Sequence, residues 1–499
     1  MNYLPSESET AQISAVVQDC QRDFDRYDSE IRYLSRALDE LKKQKAKLQN
    51  FMDENRSIIS TLRRIPVEVL TQIFEWTCID GGLAISEKDV IAPALVISQI
   101  CAGWRSVVLS SPKLWSSLIV EVTNERRGVK SLIQLYLSRS RNESLTLEIL
   151  AKCRWLSEDD DDYNNWPERI SNHARTIFRI LLKESSRWFD ISIEMHWSVM
   201  ENIPGLGKAT FGALRHLNVK WEPFSYHDLS SNELIDVLGT RSNLHTLSLD
   251  KFHSAFFNHN ELGSVKNLVL RKNIMESDVV ELFHRFPNVE DLQITCAEDD
   301  EYYTVDETSS LPQLTTRFLK QLKLDFGCMI GSHLVSVLDL PCLICLCLNG
   351  NVEQDDEYAE AWLENLKGML CRSPDLENLE LTGEPFERDT DILDVLSTTP
   401  NVTHLKIVTA PHLITDRLLT GLMVDPPEDS HVNILPRLTH LDINFEYLVR
   451  DYTLPNPELA LMLALSRQLV IPEDYFPLEW FSFVNIPILA LFEESMSAQ

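Results

Sequence analysis

Leu376-Glu377-Asn378-Leu379-Glu380-Leu381 carries a six-residue figure, apolar-x-x-apolar-x-apolar, and its recurrence decides how this chain folds. The figure stands also at Leu214/Leu217/Val219, Leu244/Leu247/Leu249, Val265/Leu268/Leu270, Val289/Leu292/Ile294, Leu319/Leu322/Leu324, Leu343/Leu346/Leu348, Val402/Leu405/Ile407 and Leu438/Leu441/Ile443. Successive starts lie 30, 21, 24, 30, 24, 33, 26 and 36 residues apart. Helix-period stretches fill the gaps: Asn232 to Leu238, Asp278 to Phe283, Ala361 to Leu366 and Asp391 to Leu396. Strand side chains alternate, so the fourth and sixth positions of each figure point into a core while the third and fifth face outward. Less regular strands are expected earlier, at Leu145 to Leu150 and Phe189 to Ile193.

A strand and a helix recurring at this period form the leucine-rich-repeat signature, which predicts an α/β solenoid: a horseshoe with a parallel sheet on its inner face. An Asn after the strand, which ties adjacent turns in such repeats, stands at Asn273 and Asn351 but in few other units, and the spacing is uneven. An irregular horseshoe is therefore expected. Its outward columns read His216, Thr246, Asn267, Asp291, Gln321, Cys345, Asn378, His404, His440 and Asn218, Ser248, Val269, Gln293, Lys323, Cys347, Glu380, Lys406, Asp442. Concave solenoid faces usually hold proteins. Candidate target-binding residues are accordingly His216, Asn218, Thr246, Ser248, Asp291, Gln293, Gln321, Lys323, Asn378, Glu380, His404, Lys406, His440 and Asp442.

The opening of the chain has a different period. Ile13, Val17, Cys20, Phe24, Tyr27, Ile31, Leu34, Leu38, Leu41, Lys45, Leu48, Met52, Asn55, Ile59 and Leu62 recur at alternating steps of four and three. No Gly or Pro interrupts Thr10 to Ile65. This is a sustained heptad column, broken in polarity only by Lys45 and Asn55, and it predicts a coiled-coil helix that wants a partner. That partner is either a second copy, giving a homodimer, or another part of the same chain. Pro66 is expected to end the helix at Ile65 and to open a new one.

Between helix and repeats lie Leu62-Arg-Arg-Ile65-Pro66-Val-Glu68-Val-Leu70-Thr-Gln-Ile73-Phe74, then Ile100-Cys101-Ala-Gly-Trp104-Arg105, then Pro112-Lys-Leu114-Trp115. Val67, Leu70, Ile73 and Phe74 make one apolar stripe on a short helix, with further helices over about Ala94 to Ile100 and Ala102 to Leu109. This ordered set resembles the F-box family, about 55 residues long, in a fungal-type version with an insertion (here Ile79 to Ile91) between its first and second helices. The family departs from this chain in having Leu where Ile65 stands. The resemblance implies docking on the Skp-type adaptor of a cullin–RING ubiquitin ligase, through Leu62, Pro66, Leu70, Ile73 and Phe74, with Trp104 as the small domain's own core.

Organisation follows: residues 1–10 a disordered tail, 11–61 the coiled-coil helix, 62–118 the F-box-like domain, 119–210 irregular leading repeats, 211–455 the leucine-rich repeats and 456–499 a cap or tail. The formal charge of −30 disfavours nucleic acid and anionic membranes as partners. Ten scattered cysteines without a disulfide framework, no secretory leader and no long apolar run place the expectation in cytoplasm or nucleus. Acidic runs at Glu158 to Asp162 and Glu298 to Glu301 read as solvated loops.

Chemistry-bearing motifs are weak. Cys342-Leu-Ile-Cys345 lacks a second pair at zinc-finger distance, and Pro204-Gly205-Leu-Gly207-Lys208-Ala209 lacks the glycine spacing and hydroxyl of a phosphate loop. No cofactor, metal or catalytic residue is expected. The sequence thus points to a substrate-recognition adaptor of a Skp–cullin–F-box ligase, which holds a protein target and performs no bond chemistry. The alternative is a scaffold outside any ligase, assembling through its coiled coil and repeats.

Overall fold

The computed structural model describes residues 6–58, 61–79, 82–122, 126–151, 171–196, 203, 205–222, 243–250, 252, 261–271, 276–295, 313–327, 334–351, 359–424, 434–445, 456–469, 475–483 and 486–487. The chain divides into two units, residues 1–73 and 74–499.

The first unit is dominated by a 52-residue helix, α1 (Glu7–Ile58). It starts inside the expected tail because Ser6 and Glu9 form a capping box: Glu9 N donates to Ser6 Oγ at 3.4 Å, and Ser6 N donates to Glu9 Oε2 at 2.9 Å. It ends at Ile58, short of the expected Ile65, and a 3-10 turn (Thr61–Arg64) leads into Pro66. The next helix, α2 (Val67–Ile79), then begins, with Leu70 N donating to Pro66 O at 3.0 Å. Pro66 precedes its first turn, where a missing N–H has no cost.

In chain order the strands are β1 (Leu83–Ile85), β2 (Val90–Ile91), β3 (Ser117–Glu121), β4 (Leu145–Ala151), β5 (Trp188–His196), β6 (His216–Glu222), β7 (Thr246–Leu249), β8 (Asn267–Leu270), β9 (Asp291–Thr295), β10 (Leu314–Thr315), β11 (Gln321–Gly327), β12 (Leu338–Asp339), β13 (Cys345–Asn351), β14 (Asn378–Glu384), β15 (His404–Thr409), β16 (His440–Phe445), β17 (Trp480–Phe483) and β18 (Ile486–Pro487). Among the described residues all but β10 and β12 join one 16-stranded sheet, in the order 18-17-16-15-14-13-11-9-8-7-6-5-4-3-1-2. It is open, with β2 and β18 at its edges. Every neighbouring pair is parallel except the two edge hairpins, β1–β2 and β17–β18.

The alternation read from the repeats governs which residues are inside. Leu217, Val219, Leu247, Leu249, Leu322, Leu346, Leu379, Leu405, Leu441 and their equivalents are almost wholly buried. The residues between them form aligned rows, because His216 pairs in register with Thr246, Thr246 with Asn267, Asn267 with Asp291, and so on to His440 and Trp480. Helices α5 (Val129–Arg139) and α6 (Asn172–Leu182) precede β4 and β5; α7 (Glu276–Arg285), α8 (Ala359–Cys371) and α9 (Asp389–Ser397) cover three of the four expected helical stretches, and the fourth, Asn232 to Leu238, lies outside the described residues. α10 (Asp416–Gly421) and α11 (Pro457–Leu469) follow, and α8 to α11 pack on one another in sequence order.

Two segments differ from expectation. The insertion between Ile79 and Ile91 contributes strands: β1 enters the sheet parallel to β3, burying Leu83 and Ile85. Gly82 makes that approach feasible, since a Cβ there would sit 2.6 Å from Ser117 O. At the other end β17 adds a further parallel strand on β16, again with a buried Leu478/Phe481/Phe483 figure.

The start of the second unit packs a small helical core. α3 (Pro93–Ile100) and α4 (Ala102–Ser110) lie together, with Cys101 between them accepting from Trp104 N at 3.4 Å as the cap of α4. Arg105 Nε donates to Ser98 O at 2.8 Å, and Trp115 Nε1 donates to Val108 O at 2.9 Å. Phe74 packs on Trp104 with ring centroids 5.0 Å apart, and Trp115 meets Tyr136 edge-on at 4.8 Å.

Candidate functional site

On the outward rows of β13 to β17 the side chains line a groove of about 220 Å³, formed by Cys345, Asn378, Glu380, His404, Lys406, His440, Asp442 and Trp480. One row runs Asn378, His404, His440, Trp480; the next runs Glu380, Lys406, Asp442, Ser482. The first is an aromatic row. His404 and His440 are stacked at 4.2 Å with planes 14° apart, and Trp480 beside them is 44% exposed. The second is charged, with Lys406 donating to Glu380 at 2.5 Å.

Threonines one residue earlier orient both rings. Thr403 Oγ1 donates to Glu377 O at 3.2 Å and Thr439 Oγ1 donates to Thr403 O at 3.1 Å. His404 Nδ1 lies 2.8 Å from Thr403 Oγ1 and His440 Nδ1 lies 2.9 Å from Thr439 Oγ1, so each ring is hydrogen-bonded through that nitrogen. The groove so offers planar ring faces, two ring nitrogens and an acid–base–acid row.

Burial and the neighbouring His440 lower the pKa of His404, against Glu377 and Glu479, which raise it. The folded state therefore binds fewer protons than the unfolded chain below the ordinary value of 6.5, so this contribution is intact above that pH and is lost as pH falls from it through the lower folded-state pKa. His404→Asn is expected to narrow the difference in Tm between pH 7.5 and pH 5.5 relative to the unsubstituted chain. Thermal scans at the two pH values check this; an unchanged difference would contradict it.

Cys347, on the same face, has its thiol pushed up to about 11 by burial and by Glu380, and burial also raises Cys345. These thiols stay protonated at neutral pH and are poor nucleophiles. Among the described residues no three His, Cys, Asp or Glu side chains gather as metal ligands would.

Further along the sheet the expected target-binding residues divide. Gln321 and Lys323 are exposed, and His216, Thr246, Asp291 and Gln293 are half-buried. His216 meets Phe189 edge-on at 5.5 Å, and burial raises the pKa of Asp291. Asn218 is engaged internally, donating to Ser192 Oγ at 2.9 Å and accepting from Arg271 Nη1 at 2.8 Å. Ser248 is buried: Arg271 follows β8 and reaches Asn218 on β6, spanning the intervening β7 that carries Ser248. At the start of the strands Glu290 accepts from both Lys266 and Lys320, which lower its pKa to about 2. Trp480 was missing from the expected residues, although Leu478/Phe481/Phe483 repeats the strand figure and would have pointed to it.

The expected adaptor-facing residues also divide. Leu62 is 54% exposed, Ile73 is 41% exposed and Pro66 is exposed, whereas Leu70 and Phe74 are buried at 8% and 2%. The single stripe drawn from sequence is two. Leu70, Phe74 and Cys78, spaced by four, turn inward; Val69, Ile73 and Trp76, spaced by four and three, are exposed. At about 3.6 residues per turn these rows lie more than a quarter-turn apart. Val67 in the first turn is exposed as well. Within the second unit Val96 and Ile100 of α3 are 61% and 58% exposed.

Among the described residues no helix is long and apolar enough to cross a membrane. No family model matches the chain, and no curated protein matches it.

Proposed function

We propose that this chain is the substrate-recognition subunit of a Skp–cullin–F-box ubiquitin ligase, with residues 62–118 as its F-box domain and the sheet-bearing segment as a leucine-rich-repeat solenoid. The observation that carries the reading is the exposure of Leu62, Val67, Val69 and Ile73 around the Pro66-started helix, within the ordered motif set of the sequence. Scattered apolar residues are normal on surfaces, but a run of this density on one short segment marks a docking site. The adaptor is its occupant, and through the adaptor a cullin scaffold.

The sheet face supplies the other function. Its groove beside His404, His440 and Trp480 is where a target protein presents a segment, held within reach of a charged ubiquitin-conjugating enzyme. The contribution to rate is effective concentration of an acceptor lysine, and this chain makes and breaks no bonds itself. Proteins retained by the sheet face are expected to carry ubiquitin and to turn over in cells expressing the unsubstituted chain. They should accumulate when Val69→Asp and Ile73→Asp are introduced together; equal turnover in both cases would argue for a scaffold outside any ligase.

A further inference from the structure

We infer that α1 pairs with a second copy of itself, antiparallel and in full overlap. The inference rests on the helix alone and is independent of the ligase reading. Along α1 the heptad residues Ile13, Val17, Phe24, Tyr27, Ile31, Leu34, Leu38, Leu41 and Leu48 are all between 52% and 65% exposed. A 52-residue helix about 78 Å long with one unburied apolar column is the geometry of half a coiled coil.

Charge decides the orientation. Residues 7–30 hold seven acidic and two basic side chains, while residues 31–47 hold six basic and two acidic. A parallel pair would set acidic third against acidic third and basic stretch against basic stretch. An antiparallel pair sets each against its opposite, the arrangement that like-charge repulsion leaves open. The ion pairs within the helix are exposed and short in reach, as at Asp23–Arg26 (3.3 Å) and Asp39–Lys42 (4.0 Å), so they do not cancel this polarity.

The heptad letters give the same answer. Steps of four and three place Val17, Phe24, Ile31 and Lys45 in the a column and Cys20, Leu34, Leu41 and Leu48 in d. Antiparallel coiled coils layer a against d. Laying Glu7 opposite Ile58, the two ends of the helix, brings Val17 onto Leu48, Phe24 onto Leu41 and Ile31 onto Leu34 of the second copy. No slip is needed. The same register sets Lys45 against Cys20, flanked by Asp19 and Asp23, whereas a parallel pair would force Lys45 onto its own equivalent inside the seam.

The native Cys20, which is exposed, makes the test. Light scattering of the full chain is expected to give twice the chain mass. With copper–phenanthroline as oxidant, Lys45→Cys should yield a covalent dimer on a non-reducing gel, at least tenfold above the unsubstituted chain. Adding Cys20→Ser should remove it. Three results would overturn the inference: a monomer in light scattering, a Cys20-dependent covalent dimer of the unsubstituted chain, or Lys45→Cys cross-linking that survives Cys20→Ser. The last two place identical positions side by side, as only a parallel pair does.

Discussion

Phe74→Ala is expected to lower the unfolding free energy by about 3–5 kcal/mol, the usual cost of emptying a buried aromatic site. The ring is 2% exposed and packs on Trp104 at 5.0 Å, so truncation leaves a cavity that neighbours fill only in part. Ile73→Ala, one residue earlier on the same helix, is expected to stay within about 0.5 kcal/mol, because Ile73 is 41% exposed. Denaturant titration of both variants checks the contrast. Equal losses would mean that α2 presents a different face from the one described. The comparison also has a practical consequence. An acidic substitution at Phe74 would unfold the small helical core, and any loss of binding it caused would say nothing about docking.

Arg467→Leu is expected to cost about 3–5 kcal/mol, because buried backbone carbonyls lose a charged donor. Arg467 is 1% exposed. Its Nε donates to Leu422 O at 2.8 Å, Nη1 to Leu435 O at 3.0 Å and Nη2 to Ile434 O at 2.7 Å. Burial pushes its pKa down to about 10, against Tyr475, which raises it; the value is still well above neutrality, so the guanidinium is charged. Without it the carbonyls of Leu422 and Ile434 lose their Arg467 donor, at about 1–3 kcal/mol for each buried group left unsatisfied, offset by release from desolvating the cation. Leu435, in left-handed backbone at φ 55°, would keep the bond its carbonyl accepts from Leu438 N at 3.3 Å and lose the one from Arg467. Arg467→Lys should recover little, since one ammonium cannot span three carbonyls set for a planar fork. Tm measurements on both variants decide; a shift of under 2 °C for Arg467→Leu would contradict this account.

Arg467 also shows where sequence reading ends. An arginine at the close of an amphipathic helix reads as surface, and only the fold reveals the carbonyl cluster around it. The strands were legible because their period of two is tied to position: Leu379 and Leu381 point inward wherever the figure recurs, and the register rows follow from that. α2 was less legible for a simple reason. From Val67 to Ile79 it is apolar around most of its circumference, so several stripes fit the helical period and the sequence did not favour the Leu70–Phe74–Cys78 one. The β1 insertion escaped notice because a three-residue strand such as Leu83–Ile85 has no period of its own. Its identity comes from pairing with β3, more than thirty residues later. The groove was half legible: its histidines and charged row were named from the alternation, while Trp480 sat on a strand whose figure went unread.

Calorimetric titration of the purified full chain with a Skp-type adaptor tests the central proposal most directly. Each buried apolar side chain contributes roughly 1.5–3 kcal/mol, and micromolar affinity corresponds to about −8 kcal/mol. A saturable one-to-one complex at micromolar affinity or tighter is predicted for the unsubstituted chain. Val69→Asp with Ile73→Asp should weaken it at least a hundredfold while leaving Tm within a few degrees. No heat of binding for the unsubstituted chain, or equal affinity for the doubly substituted one, would contradict the account.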